Sequence, residues 1–183
     1  MFDFKNIESD WTLFLDRDGV INFEQRNDYV KSWSEFKFYK ESLKALPLLA
    51  NKFSTIVITT NQKGVSKGLM SETDLSDIHE HMVIEINKVG GRIDHIFYCT
   101  DLEDDSKNRK PQPGMAFQAK ELFPSIQFEK SIMVGNRTSD MEFGRNAGLH
   151  TVFLATTHPE TTFPNPLIDF RFNHLLEFAE AIQ

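Results

Sequence analysis

Short apolar runs without alternation recur along the chain, and amphipathic stretches separate them. Thr12–Asp16, Thr55–Thr60, Ile93–Cys99, Ser131–Gly135 and Thr151–Leu154 read as strands, the pattern of a sheet covered on both faces. Helical periodicity falls at Glu41–Asn51, Glu72–Val89, Gly114–Leu122, Ser139–Ala147 and Leu175–Ile182. Ser71 followed by Glu72 and Asp74 marks a helix start, and Gly90-Gly91 a stop. The alternation predicts an α/β fold, a doubly wound parallel sheet with helices on both faces. No repeat, low-complexity tract or linker divides the sequence, so residues 1–183 are expected to form a single domain. Two stretches lack a period. Phe23–Tyr39, aromatic and charged, reads as a flap or short hairpin beside a site. Thr156–Pro166, with three prolines, reads as loop.

Composition narrows the function. With 40% apolar and 26% charged residues the chain is globular in type, and no apolar run is long enough for a membrane span. The first ten residues are too polar for a secretory signal. One cysteine, Cys99, excludes an internal disulfide and a cysteine-rich zinc site. The expected address is therefore a reducing cytoplasm. A net charge of −7 argues against a nucleic-acid surface. It also sets a condition: an acidic protein that binds phosphate needs a cation and local Lys or Arg to reverse the field.

Chemistry gathers where strands end. Asp16 and Asp18 share one face of an extended chain, and Gly19 lets the backbone turn away directly after them. Alone, such a pair fits a solvated acidic turn equally well. Thr60-Asn61-Gln62-Lys63-Gly64 offers a hydroxyl, amides and glycine-freed N–H groups, suited to phosphate oxygens. Arg109-Lys110 sits between Asn108 and two prolines ahead of a helix, and supplies positive charge. Gly135-Asn136 with Asp140 four residues on offers oxygen ligands of the kind magnesium takes, although Ser139 and Asp140 also suit a helix start.

Taken together, in this order and each at a strand end, the four motifs resemble the haloacid dehalogenase superfamily of phosphatases and phosphotransferases. The resemblance spans Leu13 to about Leu154. It implies a Rossmann-like fold with Asp16 as nucleophile, Asp18 as general acid/base and Lys110 as the charge-stabilising lysine. Thr60, Asn61, Gln62 and Arg109 would bind substrate, and Asp16, the Asp18 carbonyl and Asn136 would hold Mg²⁺, with Asp140 in support. Asp16-Arg17-Asp18-Gly19, Thr60-Asn61-Gln62, Arg109-Lys110-Pro111 with Pro113-Gly114-Met115, and Gly144-Arg145-Asn146-Ala147-Gly148 look most like the heptose-1,7-bisphosphate phosphatase and histidinol-phosphatase family. The flap pattern, Asp28-Tyr29-Val30 through Phe36-Lys37-Phe38, favours the heptose branch over histidinol phosphate. Motif spacing leaves no room for a separate cap domain, so a monomer acting on a small phosphorylated metabolite is expected, with no nucleic-acid or membrane partner.

Two departures stand out. Many relatives carry a three-cysteine, one-histidine zinc loop before the Arg-Lys pair; Thr100–Asn108 has neither residue, so no zinc is expected. Asn136 stands where the family usually places aspartate, which implies a weaker magnesium site. A degenerate, non-catalytic phosphate-binding protein is the alternative that this residue leaves open.

Overall fold

The computed structural model describes residue 4 and residues 7–183; the expectation about the N-terminal ten residues lies partly outside that range. Among the described residues six strands form one parallel sheet: β1 (Thr12–Leu15), β2 (Thr55–Asn61), β3 (His95–Cys99), β4 (Ser131–Gly135), β5 (His150–Leu154) and β6 (Phe170–Phe172). Five α-helices among the same residues accompany them: α1 (Lys40–Lys52), α2 (Glu72–Lys88), α3 (Gly114–Leu122), α4 (Thr138–Ala147) and α5 (Leu175–Ala181). The strand order is β3-β2-β1-β4-β5-β6. The chain thus moves outward from β1 in one direction and then, from β4, in the other. Between β1 and β4 lies the switch point, where open α/β sheets form crevices beyond the strand ends.

Side-chain alternation decides which helix covers which face. Leu13, Leu15, Ile56, Ile58, Ile132 and Val134 pack against α1, α2 and α5 through Leu46, Leu49, Ile78, Met82 and Phe178. Phe14, Val57 and Met133 point the other way, onto Met115 and Ala119 of α3 and Phe143 of α4. All four residues of β1 are buried, as are the five of β4. Each large apolar side chain placed there contributes roughly 1.5–3 kcal/mol over its exposed state, which fixes the two strand ends rigidly.

The doubly wound expectation is met; of the five strands expected, Ser131–Gly135 coincides with β4 and the other four lie within two residues of their observed limits. The structure adds β6, which pairs with β5 from Val152↔Phe170 to Leu154↔Phe172. Residues 23–39 form a loop closed at its stem. The Phe23 N–H donates to the Lys37 carbonyl (2.8 Å) and the Tyr39 N–H to Ile21 (3.0 Å), around a single antiparallel bridge, Asn22–Phe38. Within it Trp33 opens one turn of 3-10 helix and stacks on His81 of α2, ring centres 5.2 Å apart. Among the described residues no helix is long and apolar enough to cross a membrane.

Candidate active site

β1 delivers Asp16 one residue beyond its last paired position, where the Asp16 N–H donates to the Val134 carbonyl at 3.0 Å. Gly19, at φ +89°, then reverses the chain; a Cβ there would lie 2.1 Å from Asn136 Nδ2, so only glycine fits. The loop before α3 brings Lys110 across, 94 residues away in sequence. Its Nζ donates to Asp16 at 2.9 Å and pairs with Asp140 at 2.6 Å, all three side chains being almost wholly buried. Burial pushes the Asp16 carboxyl up to about 7, against the pull of Lys110 and with Asp140 and Asp18 adding like charge. For Lys110 burial acts to lower the pKa, but the two carboxylates outweigh it and hold the ammonium above its ordinary range.

Asp18 has the opposite setting. Burial acts to raise it, yet Arg17 and hydrogen bonds from Asn22 and Gln62 prevail and leave it below the usual carboxylate range. Arg17 Nη2 donates to both Asp18 oxygens (2.9 and 3.1 Å), Asn22 Nδ2 to Oδ1 (2.8 Å) and Gln62 Nε2 to Oδ2 (2.8 Å). Arg17 is fully buried, and its Nη1 donates to His79 Nε2 of α2 at 3.1 Å. A guanidinium cannot accept, so Nε2 carries no proton here. Burial and the neighbouring Arg17 depress His79 to about 3.

The residues expected to bind phosphate divide their work. Thr60 borders the cleft and its Oγ1 accepts from Gln62 Nε2 at 2.9 Å. Both Nε2 hydrogens of Gln62 are thereby engaged and the residue is buried, so it sits behind Thr60 and Asp18. Asn61 brackets Lys110: its Nδ2 donates to the Lys110 carbonyl and its Oδ1 accepts the Lys110 N–H, both at 3.0 Å. Arg109 reaches Asp104 (3.2 Å), which also holds Lys63 at 2.6 Å; Arg109 Nη1 is buried without an acceptor. Asp140 accepts the backbone N–H groups of Asn136 and Arg137 (3.1 and 3.0 Å), so it both caps α4 and faces Lys110.

Asn136 is wholly buried. Its Nδ2 donates to Thr157 Oγ1 (2.6 Å) and Glu24 Oε2 (3.2 Å), while Oδ1 has no hydrogen-bond partner. A buried carbonyl-type oxygen with open lone pairs, one residue beyond β4 and against Gly19, is the donor type a hard cation takes. Among the described residues no three His, Cys, Asp or Glu side chains gather as a metal cluster; an amide occupies position 136, and Lys110 lies between Asp16 and Asp140. Cys99 is buried at the end of β3, where burial pushes its thiol up.

Asp16, Asp18, Thr60, Arg109, Lys110 and Asp140 line a cleft of about 650 Å³ bounded by the flap at Tyr29 and Val30, within the size range of small-molecule sites. Sequence reasoning missed Arg17, Asn22 and His79 behind Asp18, and Glu24 and Thr157 behind Asn136. Asn22, four residues after Asp18, carried a faint local signal. Arg17 adjoins Asp18 in sequence, whereas His79, Glu24 and Thr157 are neighbours only through the fold.

The family described as polynucleotide kinase 3 phosphatase matches residues 9–171. Among curated relatives, the D-glycero-alpha-D-manno-heptose-1,7-bisphosphate 7-phosphatase of Mycobacterium bovis is 35% identical over 173 residues, 94% of this chain and 91% of that protein. The D-glycero-beta-D-manno-heptose-1,7-bisphosphate 7-phosphatase of Pasteurella multocida is 35% identical over 158 residues, 81% of this chain and 84% of its own. A crystal structure of D,D-heptose 1,7-bisphosphate phosphatase from B. bronchiseptica, complexed with magnesium and phosphate, superposes with a TM-score of 0.84 at 29% identity, covering 93% of this chain and 96% of the other.

Proposed function

The chain belongs to the polynucleotide kinase 3 phosphatase family and is a phosphatase of the haloacid dehalogenase type, and on that footing we propose that it hydrolyses a phosphate ester of D-glycero-D-manno-heptose 1,7-bisphosphate. The observation that carries the reading is the buried Asp16–Lys110–Asp140 array at the switch point, with a second, differently tuned carboxylate two residues from the first.

In this reading Asp16 attacks phosphorus in line with the departing oxygen, giving an aspartyl-phosphate that water then cleaves. Lys110 orients Asp16 and neutralises charge on the transferring group, with its backbone fixed by Asn61. Thr60 donates its hydroxyl to a phosphate oxygen, held in place by Gln62. Asp18 gives a proton to the leaving alkoxide and later takes one from the attacking water. Protonation of Asp18 is opposed by Arg17, Asn22 and Gln62 and favoured by an adjacent phosphate dianion, so its proton is readily lost once the phosphate has moved. Arg109, with a buried free donor, meets an oxygen on the rest of the substrate. Asp16, the Asp18 carbonyl and Asn136 would hold a magnesium ion, which would supply the positive charge that keeps Asp16 ionised in an acidic chain.

Residues 1–183 act as one cap-free domain in this reading, a cytoplasmic monomer with a small-molecule substrate and no zinc, nucleic-acid or membrane partner. Support comes from the acidic charge, the open cleft and a flap that lies directly over it. The test is phosphate release from a panel of sugar phosphates with and without magnesium. The heptose bisphosphate should lead the panel, and Asp16→Asn should reduce release to background. Equal release from Asp16→Asn, or no turnover of any substrate, would overturn the proposal; retained ligand affinity without turnover would point to a binding protein.

A further inference from the structure

An amide at a cation site carries a difficulty that a carboxylate does not: one of its two ends repels the ion. Something must fix which end faces it. In this chain Asn136 Nδ2 faces Glu24 Oε2 at 3.2 Å and Thr157 Oγ1 at 2.6 Å. An ionised carboxylate only accepts, so the end toward Glu24 is the NH₂, and the oxygen is the end left without a protein partner. Glu24 itself is largely buried, with a side-chain exposure of 13%, and its other oxygen is gripped by Arg137.

We propose that Glu24 is a positioning residue of the cation site, orienting the Asn136 amide so that its oxygen meets the ion and returning the negative charge that an aspartate at 136 would have carried. The inference rests on the reading of Asn136 as a ligand and goes further. It makes positions 24 and 136 a coupled pair, in which the amide suits a carboxylate neighbour and a carboxylate at 136 does not, because two anions would then stand about 3 Å apart. Outer partners of this kind commonly change metal affinity by roughly 10–100-fold.

Calorimetric titration with Mg²⁺, repeated with Mn²⁺ by electron paramagnetic resonance and with no substrate present, tests this on the folded chain. Glu24→Gln should weaken binding about tenfold or more. Arg137→Met also breaks the Glu24–Arg137 pair but leaves the Glu24 carboxylate on Asn136, so it should bind the ion as tightly as wild type or more so. Asn136→Asp should tighten binding more in the Glu24→Gln background than in wild type. Unchanged affinity in Glu24→Gln, equal weakening by Glu24→Gln and Arg137→Met, or additive effects at 24 and 136 would each overturn the inference while leaving the magnesium reading intact. No binding of either ion to wild type would overturn both.

Discussion

Two clusters border the cleft and are assembled by opposite means. Asp16, Asp140 and Lys110 are set by the end of β1, the first turn of α4 and the loop before α3, all buried, the two carboxylates sharing one ammonium. Glu24, Asn136, Arg137 and Thr157 are drawn from the flap, a strand end and the loop after β5, and one oxygen among them is left unanswered. The first is buried against the packing that forms the sheet; the second depends on the flap and the loop after β5 meeting at the end of β4. Chemistry placed on the core is bound up with stability, whereas chemistry placed between loops can be tuned almost free of it.

The sharpest way to break this contrast is Lys110→Met. It leaves Asp16 and Asp140 buried without their shared cation, and losing one partner of a buried ionic array costs about 3–5 kcal/mol. Chemical denaturation should register that loss and phosphate release should vanish; a variant as stable as wild type would show the array is not tied to the core. Acid probes the same side more gently. His79 is held near 3 in the fold, whereas the unfolded chain takes up the proton near 6.5. Between those values the unfolded state binds more protons at this group, so its contribution to stability falls as pH falls, by about 1.4 kcal/mol per unit at most. Asp16, raised to about 7, works in the opposite sense over the same range, so the measurement is the difference between wild type and His79→Gln, which keeps an acceptor for Arg17. Thermal unfolding from pH 7 to 4 should show the variant losing less stability than wild type. An unchanged slope would place the sensitivity elsewhere. The smallest effect belongs to the loop cluster: Thr157→Val removes one acceptor of Asn136 Nδ2 and should cost about 1 kcal/mol or less. A cost matching that of Lys110→Met would erase the distinction.

The same contrast governs what could be read from the sequence. β1 and β4 announce themselves because both faces are covered, which turns a strand into a plain apolar run. Asp16 and Asp18 were legible because they follow such a run, and Lys110 because it adjoins Arg109 and the prolines ahead of α3. β6 was not: Phe170-Arg171-Phe172 is three residues long, half-exposed and at the sheet edge, too short for any period. Glu24 and Asn136 are 112 residues apart, and nothing local in either stretch marks the other. Gln62 was legible as polar and near the site, but its place behind Asp18 depends on which way the chain leaves β2. Arg17 lies between the two acids, yet its burial against His79 depends on α2 packing over the strand end.

The stem of the flap has a consequence for how such a protein diversifies. Two backbone hydrogen bonds and the Asn22–Phe38 bridge close residues 23–39 at their base, directly beyond the residue that holds Asp18. Apart from Glu24, which orients Asn136, and the buried Val30 and Phe36, what lies inside that closure can change character without moving Asp18. The fold thereby offers an interchangeable cassette over a fixed catalytic floor, a place where a new substrate preference can be grafted while the hydrolytic apparatus is inherited whole.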